Sequence, residues 1–166
     1  MMRRLGLLAI LALLSACGLH SLYGGGADSP VSGLLRSVEV APIAGQPGWL
    51  VRTKLVDRLG ETGSASAQYR LDVTLDDNIT SYGLRADQAA TQERVTLRAR
   101  YQLVDLSNGA VVLDDTAGSD ASVDVVSSAY ATVAAEQTSL ENLSAIVADQ
   151  IVARLAVYAA RTTHRK

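Results

Sequence analysis

Phenylalanine is missing altogether, and one tryptophan with six tyrosines makes up the whole aromatic set of the 166 residues. A core without phenylalanine has to be filled by Leu, Val, Ile and Ala, which pack densely but leave few rings on which a base or sugar can stack. The single cysteine rules out a disulfide or a cysteine-based metal site within one chain. His20 falls in a Gly/Ser-rich stretch and His164 close to Lys166. Neither is in a position to be held against a nucleophile to within about half an ångström, as catalysis demands. Basic charge is not in excess either, since the formal net charge is −2. That balance excludes general nucleic-acid binding, which needs a basic surface. No cofactor-binding motif is present, and Gly24-Gly25-Gly26 does not lead into a helix as a phosphate-binding loop does.

What is present starts with Arg3 and Arg4, an apolar run from Leu5 to Leu14, and the small residues Ser15 and Ala16 before Cys17. That is the layout of a secretory signal peptide. The run is about half of the roughly 20 residues that a membrane-spanning helix needs, and no later segment is read as long enough to span. Leu14-Ser15-Ala16-Cys17 resembles a bacterial lipobox, in which the thiol is diacylated and the chain is cut before the cysteine. Two or three acyl chains, at about 0.8 kcal/mol per buried methylene, hold a protein firmly on a membrane surface. The expected organisation is a signal peptide over 1–16, a lipidated flexible tether over 17–33, one domain over 34–162 and a disordered tail over 163–166. Loss of Arg3 and Arg4 leaves 13 Lys and Arg against 17 Asp and Glu, a balance of −4.

Within the domain, a strand is expected between Leu34 and Ile43, closed by Pro42. Pro47 suits the first position of a helix and Gly60 its end. Between them Val51, Leu55 and Leu59 recur every four residues, and Trp49 either staples the turn leading into that helix, the favoured reading, or points at a partner. Tyr69, Leu71, Val73 and Leu75 alternate with polar residues, as do Val95, Leu97, Ala99, Tyr101 and Leu103. Residues 76–94 between these runs read as a polar connection. Asn108-Gly109 predicts a type I′ hairpin, and a returning strand runs from Val111 toward Val125. Ser127 or Ser128 caps a long helix to about Arg161, whose stripe is Val133, Leu140, Leu143, Val147, Ile151, Leu155 and Tyr158. The predicted order is β-α-β-β-β-α, an α+β two-layer sandwich with two helices on one face of a four-stranded mixed sheet.

Candidate site residues are few. Asp76-Asp77 and Asp114-Asp115 are sequence neighbours that a strand points to opposite faces, so they read as solvated strand-end or turn acids. Arg94, Arg98 and Arg100 share a strand face. They suit a cross-strand charge ladder with Arg70, Asp72 and Asp76 on the neighbouring strand, or contact with an anionic partner. Arg85, in the polar connection, has no obvious partner and is the first residue to examine for ligand contact.

Cys17-Gly18-Leu19-His20-Ser21-Leu22-Tyr23-Gly24 is similar to the Cys-Gly-aromatic-x-Pro-Leu-Tyr-Gly start of alphaproteobacterial lipopolysaccharide-assembly lipoproteins, the LptE family. Tyr101-Gln102-Leu103-Val104-Asp105 with Asn108-Gly109-Ala110-Val111 resembles that family's third strand and hairpin. Tyr130 to Gln137 and Ala148 to Leu155 resemble its last helix. Three departures stand out: Ser21 for the usual Pro, Ser127-Ser128 where relatives carry Asp-Ser, and Val133 where some carry a basic residue. The resemblance implies a non-enzymatic outer-membrane lipoprotein, anchored by its N-terminal lipid on the periplasmic side. It implies a plug and assembly aid for the LptD β-barrel, with a surface for lipopolysaccharide phosphates. Arg85 matches the family's arginine in the loop after the second strand, and Arg94 is the second candidate contact. An auxiliary lipoprotein of an ABC-type envelope lipid transporter is the alternative reading.

Overall fold

The computed structural model describes residues 30–60, 67–84 and 90–163. Cys17, Arg85, both histidines and the expected tail from His164 onward lie outside the described residues. The described elements are helix α1 (Pro30–Arg36), strand β1 (Val38–Val40), helix α2 (Gly45–Leu59), β2 (Tyr69–Leu84), β3 (Ala90–Asp105), β4 (Val111–Asp124) and helix α3 (Ala129–Thr163).

The sheet has spatial order β1-β2-β3-β4. β1 runs parallel to β2, and the other pairs are antiparallel. Alternation explains which face is covered. Leu71 on β2 and Val95, Leu97, Ala99, Tyr101 and Leu103 on β3 point inward and are buried. They meet Val51, Leu55 and Leu59 of α2 and Leu143, Val147, Ile151 and Leu155 of α3 in one apolar cluster. The predicted α+β sandwich is therefore the architecture found.

Four expectations need correction. The tether through Gly33 and a strand from Leu34 give way to helix α1, with strand confined to Val38–Val40. Pro30 is well suited to a first turn because its missing N–H has no partner there. Leu35, 6% exposed, fixes α1 to the core, and the N–H and Oγ of Ser37 both donate to the Leu34 carbonyl.

The stretch 76–94 is mostly strand rather than connection, since β2 and β3 are each 16 residues long. Their register runs unbroken from Tyr69↔Asp105 to Tyr82↔Gln92. The Asn108-Gly109 turn is wider than a two-residue type I′ hairpin: the Gly109 N–H donates to the Asp105 carbonyl at 2.8 Å, with Gly109 at φ +72°. Asp105 organises it by accepting the Ser107 hydroxyl and N–H, which, the hydroxyl first, hold its carboxyl below the usual carboxylate range.

Finally, α3 is long and apolar enough to cross a membrane by length and composition. Its Leu143–Val147–Ile151–Leu155 stripe is buried in the domain, so packing accounts for that composition. Two side chains also depart from their expected roles. Trp49 is 66% exposed and staples nothing, and Val133 is 60% exposed at the start of the α3 stripe.

Candidate functional site

The uncovered face of the sheet is polar because the even-numbered positions of β2, β3 and β4 point away from the helices. Arginines and aspartates dominate it. Arg100 holds Asp114 with two parallel bonds, Nε to Oδ1 at 3.2 Å and Nη2 to Oδ2 at 3.0 Å, and Gln102 adds a third at 2.9 Å. Arg100 first and Gln102 second keep the Asp114 carboxyl below the usual carboxylate range. Arg98 reaches Asp120 at 3.7 Å and donates to the Ser119 carbonyl at 2.9 Å. Arg70 makes a two-bond pair with Asp72 on its own strand.

The expected ladder therefore exists, but its acids sit on β4 rather than β2. Arg98 faces Asp76 on one side and Gly118 on the other. A Cβ at Gly118 would lie 2.4 Å from the Arg98 Cδ. Only glycine lets the arginine cross that strand toward Asp120.

Asp114 and Asp115 lie within β4, not at a strand end, and Asp76 and Asp77 lie within β2. The expected division between faces holds. Asp115 turns toward the helices, where it accepts the Thr116 N–H and the Arg154 Nε at 2.7 Å. Those two contacts, the Thr116 N–H first, keep its carboxyl below the usual range. Nearby, burial and secondarily Asp115 push the Tyr101 phenol up to about 12. Among the described residues, no group of three His, Cys, Asp or Glu side chains is placed to hold a metal.

Arg94 stands apart from Arg98 and Arg100. It has no carboxylate partner among the described residues, and its guanidinium lies over the Tyr82 ring, 5.5 Å from the centroid. Tyr82 is fixed in turn by its hydroxyl, which donates to the Ser122 Oγ at 2.8 Å. A guanidinium spread over a ring keeps its in-plane N–H fork available for two oxygens of one phosphate or carboxylate. Arg94 lies near the far end of the β2–β3 hairpin, whose connection at residues 85–89 carries Arg85.

A family model described as lipopolysaccharide-assembly, LptE, matches residues 35–155. The chain belongs to the LptE family. A Caulobacter crescentus CB15 protein described as a lipoprotein has the same fold at TM-score 0.64 and 28% identity, over 81% of this chain and 98% of that one. Rare lipoprotein B from Shewanella oneidensis matches at TM-score 0.58 and 10% identity, over 76% of this chain and 98% of its own. A minor lipoprotein from Acinetobacter baumannii matches at TM-score 0.57 and 13% identity, over 74% and 92%. The latter two likenesses are of fold alone. No curated protein matches the sequence. This LptE-family chain is thus a bacterial envelope lipoprotein of lipopolysaccharide assembly.

One pair of groups in this LptE-family domain escaped the sequence reading. Glu93 of β3 accepts the Ser81 hydroxyl at 3.2 Å through Oε1, while its Oε2 is buried without a hydrogen-bond partner. Glu136 of α3 faces it, and the hydrogen bond that the two can share only when one carboxyl is protonated raises the Glu136 carboxyl above the usual range, with desolvation adding to the shift. Beside them lies a cleft of about 230 Å³ lined by Gln46, Asp77, Ile79, Val133, Glu136 and Leu140, among others. The signal was available in the spacing. Glu93 precedes Val95 and Leu97 on the inward parity of β3, and Glu136 lies between Val133 and Leu140 on the α3 stripe.

Proposed function

We propose that this chain is an outer-membrane lipoprotein, acylated at Cys17 after removal of residues 1–16, that occupies the lumen of an LptD-type β-barrel. There it assists assembly of the barrel and takes part in moving lipopolysaccharide to the outer leaflet. It binds lipopolysaccharide without catalysing a reaction. A barrel of more than about 20 strands encloses a lumen that has to be plugged. A sandwich with one polar sheet face can sit in such a lumen while α2 and α3 keep its core closed. The acyl anchor confines the search for the barrel to the membrane surface and raises its effective concentration.

Arg94 carries the ligand-binding part of this reading: it is exposed on the β2–β3 hairpin, stacked on Tyr82 and unpaired with any described acid. Lipid A phosphate is a ligand for that fork, and Arg85 is the second contact on the same hairpin. The test has two arms. The acylated chain is purified from detergent-solubilised outer membrane, where a large barrel is expected to accompany it. Transporter subunits in its place would favour the auxiliary-transporter role. Lipopolysaccharide binding is then titrated with Arg94→Glu and Arg85→Glu, each expected to weaken affinity about tenfold or more. Unchanged affinity in both variants would remove the ligand role.

A further inference from the structure

The two edges of the sheet are finished differently. On β4, the Gly118 N–H donates to the Gln150 side-chain oxygen at 2.9 Å, and the same amide group returns a bond to the Gly118 carbonyl at 3.4 Å. The outward N–H of Thr116 is taken by Asp115. On the other side, β1 covers β2 only from Tyr69 to Leu71. The Ala41 N–H donating to the Leu71 carbonyl is the last bond there, and Pro42, which has no N–H, ends the pairing.

Odd-numbered residues of β2 aim their backbone groups toward β1, as the Tyr69 N–H shows by donating to the Ser37 carbonyl at 3.2 Å. The unbroken register with β3 carries that parity onward. Val73, Leu75, Asp77, Ile79 and Ser81 therefore direct N–H and C=O off the sheet. Among the described residues, no hydrogen bond meets them. Unpaired edges are ordinarily blunted by Lys, Pro, a bulge or a covering element. Val73 to Tyr82 has no Lys, Pro or break in register.

We propose that this edge takes up an extended, basic segment of the barrel partner by strand addition, in line with β1. The inference rests on the barrel reading given above. Charge selects the occupant. Leu71 to Leu84 carries Asp72, Asp76 and Asp77 and no basic residue. Asp72 is held by Arg70, whereas Asp76 and Asp77 have no cation partner among the described residues. They point to opposite faces, so an added strand with Lys or Arg at neighbouring positions sets one base beside each acid. A second copy of this chain would bring acid to acid along the same stretch. Strands within a closed barrel are already paired on both sides, so the segment is a loop or terminus of that partner.

Amide hydrogen exchange on the acylated chain, alone and with its co-purified barrel, tests this. The amides of Leu75, Asp77, Ile79 and Ser81 are expected to slow about 100-fold or more on binding, as open-edge amides do when they become paired. Replacing both acids, Asp76→Lys with Asp77→Lys, is expected to weaken barrel affinity about tenfold. Asp57→Lys, a single charge reversal at an exposed position on α2 to be compared with Asp76→Lys alone, is expected to leave it unchanged. A barrel that binds while the four amides stay fast overturns strand addition and leaves the barrel reading intact. A chain that binds no barrel overturns both. Protection that grows with concentration of the chain alone makes a second copy the occupant and overturns the inference. The exchange measurement uses the unaltered sequence, so it decides even if the lysine variant fails to fold.

Discussion

From Tyr69 to Leu75, β2 alternates polar outward residues with inward ones that pack on the core, whereas from Asp76 to Gly83 the same strand keeps its pairing with β3 and exposes every side chain except Tyr82, which is half-buried. Hydrogen bonding along the ladder is continuous across both halves. What changes is the layer beneath: α2 and α3 pack directly under the first half, whereas the second has only the N-terminal ends of the two helices, Gln46 and Val133 to Leu140, alongside it across a cleft. Ladder bonds alone are enough to extend a strand from a core that anchors it. Side-chain burial decides how much the anchored part contributes to stability and leaves the projecting part available for contacts with other molecules.

The largest expected effect lies in the anchored half. Leu103→Ala removes a fully buried side chain and is expected to cost about 2–5 kcal/mol in urea unfolding. In the projecting half, Ile79, 52% exposed, is expected to cost at most about 0.5 kcal/mol when changed to Ala. Equal losses for the two would erase the distinction. Between these extremes, Gly118→Ala forces Arg98 off its path and breaks its bond to the Ser119 carbonyl. The expected loss is about 0.5–1.5 kcal/mol, and Gly118→Ala combined with Arg98→Ala should cost little more than either alone.

Titration sharpens the same contrast because the two regions respond to acid with opposite sign. Asp114 and Asp115 are held below the usual carboxylate range in the anchored half. Their contribution is present above the unfolded pKa and is lost as pH falls through the folded value. Glu136 is raised, so its contact with Glu93 is fully present below the unfolded pKa and is lost as pH rises through the folded value. Thermal unfolding from pH 7 to pH 3 is expected to show falling stability that Asp114→Asn flattens. Protection at Glu93 and Val95, taken as exchange relative to the intrinsic rate at each pH, is expected to rise over the same interval, and Glu136→Gln is expected to remove that rise. The smallest effect on stability belongs to Arg94→Glu, within about 0.5 kcal/mol, alongside the loss of lipopolysaccharide affinity stated above.

The sequence was most legible where burial imposed a period. Val51, Leu55 and Leu59, then Leu71, then Val95 to Leu103, then Leu143 to Leu155 all fell on the faces their spacing assigned. Where burial ends, so did the reading. Asp76 to Arg94 is polar because it projects, and polar composition without alternation reads as a connection. Helix α1 was hidden for another reason: Gly33 and Pro30 carry turn signals, and a seven-residue helix held by Leu35 leaves too short a stripe to detect. At the candidate site, the arginine face was legible from the alternation of β3, but its acid partners were not. Their choice depended on Gly118, a residue whose contribution is to have no side chain in the way of Arg98. Arg85 and Cys17 lie outside the described residues, and Arg94 alone of the three candidates has a described environment.

The Gln150 clamp on Gly118 carries a consequence for solubility. A molecule able to grow its ladder from both margins can polymerise copy upon copy, and crowding on a membrane favours that outcome. Here one margin is occupied at its middle by a glutamine amide from the molecule's own longest helix, so head-to-tail stacking has no continuous second surface to use. Any strand received on the opposite margin ends the series at a single partner, which suits a protein that has to remain dispersed until it meets its host.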